Sequence, residues 1–200
     1  MFHFVRIIIG FLFLLGLCVF ISKFSKITHK RISFMVSVIL SVLLVTVLSF
    51  APVENLFITF DSPQKAYNYR HAWEATVETV VPGEQCDLVV GIRKDDAYVI
   101  ELLPKTDEGW KIGTEPISKS IVLLNGNKGV SLRAYRYMDT DEYFIRALIR
   151  DGRKAEIMDS ENSEFFSTEA NGYITYYAHI SSFNESYWIG VNGNKIYPYK

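Results

Sequence analysis

Two apolar stretches without a single charge, Ile7–Ser22 and Ile32–Val53, stand within the first 53 residues. A helix needs ~20 predominantly apolar residues to cross the ~30 Å hydrocarbon core of a bilayer. The second stretch meets that length outright. The first meets it when Phe2–Val5 extend it past Arg6, whose long side chain snorkels to the interface. In lipid each backbone N–H must be satisfied within its own segment, so both stretches are expected as α-helices, at about 4–22 and 32–52. Val36, Val38, Ile39, Val42, Val45 and Val47 do not argue for a strand, because the run is far too long for one.

The connector 23–31 holds Lys23, Lys26, Lys30 and Arg31 and no acidic residue. Short basic loops stay on the cytoplasmic side, so these four residues are expected to set the topology. The helices then form a hairpin in the cell membrane, multi-pass, with the N-terminus and everything after residue 53 outside. Arg6 alone opposes that orientation. A cleaved signal peptide is disfavoured, because Ser22-Lys-Phe-Ser25 offers no small-x-small site. Leu15-Gly-Leu-Cys18 is a poor lipoprotein box, since Leu17 is too large before the cysteine.

Residues 54–200 have a different character. All 22 acidic residues lie there with 16 basic ones, a net charge of −6. That acidity argues against nucleic acid as a partner, which needs a basic footprint. The segment is long enough for one domain with its own core. Cys18 lies in a helix and Cys86 in the domain, so no internal disulfide is expected; Cys86 reads as a buried strand residue.

Turn signals divide this domain into short strands. Ser62 before Pro63 marks one short helix, with Ser62 as N-cap and Pro63 at the first helical position. Asn55–Phe60 reads as an extended entry segment. Strands are expected at Trp73–Val81, Cys86–Arg93, Ala97–Leu103, Ile117–Leu124, Val130–Met138, Glu142–Arg150, Ala155–Asp159, Tyr173–Ile180, Tyr187–Val191 and Lys195–Tyr199. Asn125-Gly-Asn-Lys-Gly129 and Asn192-Gly-Asn194 supply hairpin turns. The fold class is therefore two transmembrane α-helices followed by a mostly β soluble domain, an antiparallel sandwich or open barrel with one short helix.

No motif carries recognisable chemistry. Asp139-Thr-Asp-Glu142 and Asp159-Ser-Glu-Asn-Ser-Glu164 lack the glycine of a calcium loop and read as solvated turns. His71 and His179 make no H-x-x-x-H pattern and are expected on exposed faces, His179 sharing its strand face with Tyr173, Thr175 and Tyr177. No G-x-S-x-G, GK[ST] or G-x-G-x-x-G occurs, and no cofactor or metal is expected. Aromatic residues crowd the last thirty positions. Core packing accounts for most of them, and Tyr173, Tyr177 and Trp188 are the candidates for an interaction surface.

Three segments, Phe60-Asp-Ser-Pro-Gln-Lys-Ala-Tyr-Asn-Tyr69, Gly109-Trp-Lys-Ile112 and Trp188-Ile-Gly-Val-Asn-Gly193, resemble small, uncharacterised membrane proteins of Gram-positive bacteria with N-terminal helices and an extracytoplasmic domain. The resemblance implies a bacterial cell envelope and no particular activity. The expected function is a membrane-anchored, non-enzymatic binding or interaction module, with the lipid bilayer and another membrane or envelope protein as partners. The alternatives are a tethered cell-envelope hydrolase and an accessory subunit of a membrane complex.

Overall fold

The computed structural model describes residues 2–24, 30–50, 52–113, 120–124, 129–181 and 183–198. Lys26 and most of the 125–129 turn lie outside these. The chain forms two compact units, Met1–Phe57 and Ile58–Lys200. Val53–Phe57 thus groups with the helices rather than with the β domain.

In the first unit, α1 (Phe2–Phe24) and α2 (Lys30–Phe50) pack antiparallel. Lys23 lies in the last turn of α1, and Lys30 and Arg31 open α2. Gly10 faces Val45 so closely that a Cβ there would run into the valine methyl. Small residues permit such backbone approach. Ser37 and Ser41 are buried, and their hydroxyls donate to Ser33 O (3.0 Å) and Ser37 O (2.9 Å) within their own helix. Gly16 meets nothing within 4 Å and lies off the seam. The outer faces expose Phe4, Phe11, Leu12, Val19, Phe20, Ile39 and Val42. Phe4–Ile21 is long and apolar enough to cross a membrane, and the apolar run of α2 among the described residues, Ile32–Leu48, is shorter.

Arg6 does not snorkel to water. Its guanidinium is 1% exposed and makes a two-pronged contact with Glu54, at 2.7 and 3.0 Å, while Nε donates to Leu48 O at 2.6 Å. Glu54 sits in a 3-10 turn, Val53–Leu56, where an extended segment was expected to begin. A buried arginine requires a counter-ion, and Pro52 ends α2 where the chain can bring Glu54 back over Arg6.

The second unit begins with α3 (Pro63–His71), whose N-cap Ser62 accepts from Lys65 N. Three antiparallel sheets follow. The first has the order β1 (Ala75–Val81), β2 (Cys86–Arg93), β3 (Tyr98–Thr106), β4 (Gly109–Trp110). The second comprises β5 (Ser120–Leu124), β6 (Val130–Arg136), β7 (Tyr143–Ile149), β10 (Tyr173–Ile180) and β9 (Phe166–Ala170), in that order. The third is β12 (Asn194–Ile196), β11 (Ile189–Val191), β8 (Ile157–Asp159). The turns β9–β10 and β11–β12 are Asn171-Gly172 and Asn192-Gly193, all four residues at positive φ, as tight hairpins of matching twist require.

The sheets are layered. Val89 and Leu103 of the first sheet pack against Ala66 and Tyr67 of α3. Its other face, with Leu88, Val90, Ile100 and Leu102, meets Tyr135, Phe144 and Tyr177 of the second sheet. The opposite face of that second sheet, with Leu132, Ala134, Ile145, Ala147, Ile174 and Tyr176, packs on Ile189, Val191 and Ile196 of the third. The second sheet is thus covered on both sides. This corrects the reading of β10, whose Tyr173, Thr175, Tyr177, His179 face was expected to be exposed: Thr175 and Tyr177 are 0% exposed because the first sheet covers them. The domain is mostly antiparallel β with one helix, stacked in more layers than a two-sheet sandwich.

Double-sided burial makes a direct test. Ile145→Ala on one face of β7 is expected to cost about 2–5 kcal/mol, and Phe144→Ala on the other about 3–5 kcal/mol, in denaturant unfolding of the detergent-solubilised chain. A half-exposed strand would lose little stability at one of the two positions.

Candidate functional site

The end of β7 and the end of β10 bring together the polar cluster with the most chemical promise. In the β7–β10 register His179 faces Phe144 and Ile180 faces Tyr143. Strand alternation then puts Glu142, Phe144 and His179 on the same face. The rings of His179 and Phe144 lie 5.3 Å apart, and His179 Nε2 is 3.3 Å from Glu142 Oε1. Glu142 is buried, and His179 is half-buried. A small pocket of about 110 Å³ opens beside them, lined by Glu84, Gln85, Asp141, Glu142, His179 and Ser181.

The β1–β2 loop Pro82-Gly-Glu-Gln85 closes this pocket, and its polar backbone is satisfied by side chains. Glu142 accepts from the N–H groups of Glu84 and Gln85. Asp87 accepts from Gly83 N at 3.2 Å, while Lys105 Nζ donates to Gly83 O at 2.7 Å and Lys105 N to Gln85 O at 2.8 Å. Pro82 has no N–H to satisfy. A Cβ on Gly83 would collide with Glu142 Oε1, Cys86 O and the Phe144 ring. Asp87 is in turn held by Lys105 Nζ at 2.8 Å and Trp110 Nε1 at 2.8 Å. Buried backbone donors need such partners, so two carboxylates, Asp87 on β2 and Glu142 just before β7, fix the loop.

These contacts set the protonation states. Burial pushes the Glu142 carboxyl up, but the His179 and backbone N–H hydrogen bonds outweigh it and hold it below the ordinary glutamate value. Burial first, then the neighbouring Glu142 charge, pushes the Cys86 thiol far above its ordinary range. Cys86 is 0% exposed and remains a thiol, not a thiolate nucleophile. Ser181 Oγ donates to Glu161 Oε2 at 3.1 Å and not to His179. The cluster therefore contains an imidazole oriented by a carboxylate, as in acid–base pairs; among the described residues no nucleophile-to-base hydrogen bond of the kind covalent catalysis uses joins it.

The other candidates are structural. His71 was expected to be exposed; it is half-buried, with Nε2 at 2.8 Å from Glu101, which also pairs with Arg70 at 2.6 Å. Glu101 is 1% exposed and docks α3 on the first sheet. The acidic turns are not fully solvated either. Asp159 is buried, accepting from Glu161 N, Ser163 N and Tyr187 Oη, while Asp139 and Asp141 are exposed. Among the described residues no group of three His, Cys, Asp or Glu is arranged to hold a metal ion. Tyr173, Tyr177 and Trp188 do not share a surface: Tyr173 is exposed, Tyr177 is in the core, and Trp188 is half-buried under Lys195 Nζ at 4.0 Å from its ring.

No family model matches the chain, and neither a curated protein nor a solved structure matches it.

Two outcomes are expected. With Cys18→Ala removing the other thiol, Cys86 should resist thiol reagents in the native chain and react fully on denaturation, as counted by mass spectrometry. Glu142 contributes its full stability above the ordinary value of 4.5, and the contribution is lost as pH falls through its lower folded-state value. Glu142→Gln should lower neutral-pH stability by about 1–3 kcal/mol and flatten the acid limb of the stability profile.

Proposed function

We propose that this chain is a membrane-tethered, non-enzymatic interaction module, whose α1–α2 hairpin crosses the bilayer twice and whose β domain faces outward to contact another envelope component. The observation that carries this reading is the Arg6–Glu54 pair. It closes the hairpin at the end opposite the basic connector. It also neutralises Arg6, the one cation that opposed the topology set by Lys23, Lys26, Lys30 and Arg31. The 21 residues of α2 span about 31 Å at 1.5 Å per residue, enough for the hydrocarbon core. The apolar outer faces of both helices have a solvent in lipid that water does not provide.

Support for a binding role comes from the polar groups of the β domain. Asp87, Glu101, Glu142 and Asp159 are each engaged in fixing a loop, a turn or a helix. Trp73, 87% exposed beside a shallow cleft of about 350 Å³, is an aromatic of the kind that anchors partners. The second reading is a tethered envelope hydrolase, favoured by the His179–Glu142 pair opening into its pocket.

The full-length chain is expected to stay in the membrane through alkaline carbonate extraction, and its β domain to be cut by protease added outside intact cells. Release into the soluble fraction would overturn the tether, and protection of the domain would overturn the orientation. Turnover of an envelope substrate that His179→Ala abolishes would favour the hydrolase instead.

A further inference from the structure

Among the described residues, two buried side-chain polar atoms have no hydrogen-bond partner: Arg146 Nε and Tyr177 Oη. They belong to residues directly opposite each other in the β7–β10 register. On the other side of β7, Arg146 stands directly opposite Arg133 of β6. Alternation puts all three on the face of the second sheet that meets the first. Like charges directly opposite each other repel, and a sheet normally avoids the arrangement or places a carboxylate between them. Among the described residues neither guanidinium has a carboxylate partner; Arg146 lies over the Tyr98 ring at 5.2 Å. Tyr98 Oη accepts at 3.5 Å from the hydroxyls of both Thr168 and Thr175. Burial raises the Tyr177 hydroxyl above its ordinary range, and the Arg146 charge opposes that rise.

Among the described residues this patch is rich in donors and lacks an anionic acceptor. Arginine presents donors in a fixed fork that matches oxyanions two prongs at a time. Arg133 is exposed and Arg146 half-buried, so the pair sits at the border of solvent, with Arg146 Nε and Tyr177 Oη on its buried side. We propose that Arg133 and Arg146, with Tyr177, form a binding site for an oxyanion group, a phosphate or a carboxylate, on the partner or ligand of the β domain. The inference concerns the β domain alone and does not depend on the membrane topology or on the absence of catalysis.

The test uses the full-length chain in uncharged detergent. Sodium phosphate and sodium acetate are each compared with sodium chloride at equal ionic strength, reading the thermal-unfolding midpoint of the β domain. A ligand that binds only the folded state raises that midpoint saturably. Removing one charge-assisted contact by Arg133→Gln, at an exposed position that leaves the core intact, is expected to weaken the effect about 10-fold. Arg146→Gln is expected to abolish it. A saturable rise with phosphate alone assigns a phosphate group, a rise with acetate alone a carboxylate, and a rise with both a general oxyanion site. No rise over chloride in either arm overturns the proposal, as does a rise that Arg133→Gln leaves unchanged.

Discussion

Strands β6, β7 and β10 carry apolar side chains on both faces, and each face is covered by another sheet. Alternation on such strands turns most polar side chains inward, Arg133 of β6 being an exposed exception. A polar side chain that is turned inward must find a partner inside or lie near an end. Glu142 and His179 meet that demand at one end of the sheet by pairing with each other and with the β1–β2 loop. Arg146 sits farther in, and its partnering is incomplete. The site and the oxyanion proposal thus both follow from the layering.

The helical unit obeys the same rule. Arg6 interrupts an apolar helix, and a lone guanidinium there is costly. Glu54, the first acidic residue of the chain, supplies the compensating charge, and its 3-10 turn positions it. Gly10 allows the two helices close approach, while Ser37 and Ser41 satisfy their hydroxyls within α2 and present little bulk to the seam.

Much of this architecture was legible in sequence because it rests on local signals. The apolar runs, the Ser62–Pro63 helix start and the Asn192-Gly193 hairpin each depend on residues close together in the chain. The alternation within Glu142–Arg150 puts Tyr143, Ile145, Ala147 and Ile149 on one side, where they join one core cluster. What alternation cannot say is whether the other side is wet, since aromatic and polar residues such as Tyr177, His179 and Arg146 are common in both settings. That depended on long-range packing: the first sheet covers the Tyr177 face, while the third sheet, whose strands of three residues each are too short to register as a sheet, covers the Ile145 face. Strand β9 escaped notice because Ser167, Thr168 and Glu169 dilute its pattern, although Asn171-Gly172 marked its hairpin. The Glu142–His179 pair was invisible for a related reason: it exists only once the β7–β10 register is known.

Native-state hydrogen exchange on the detergent-solubilised chain tests the covered central sheet most directly. If both faces are buried, the amides of Phe144–Leu148 in β7 and Thr175–Ala178 in β10 exchange only through global unfolding, and they share one free energy in denaturant titration. If those amides exchanged by local opening, as fast as those of the edge strand β1, the layered account would be contradicted.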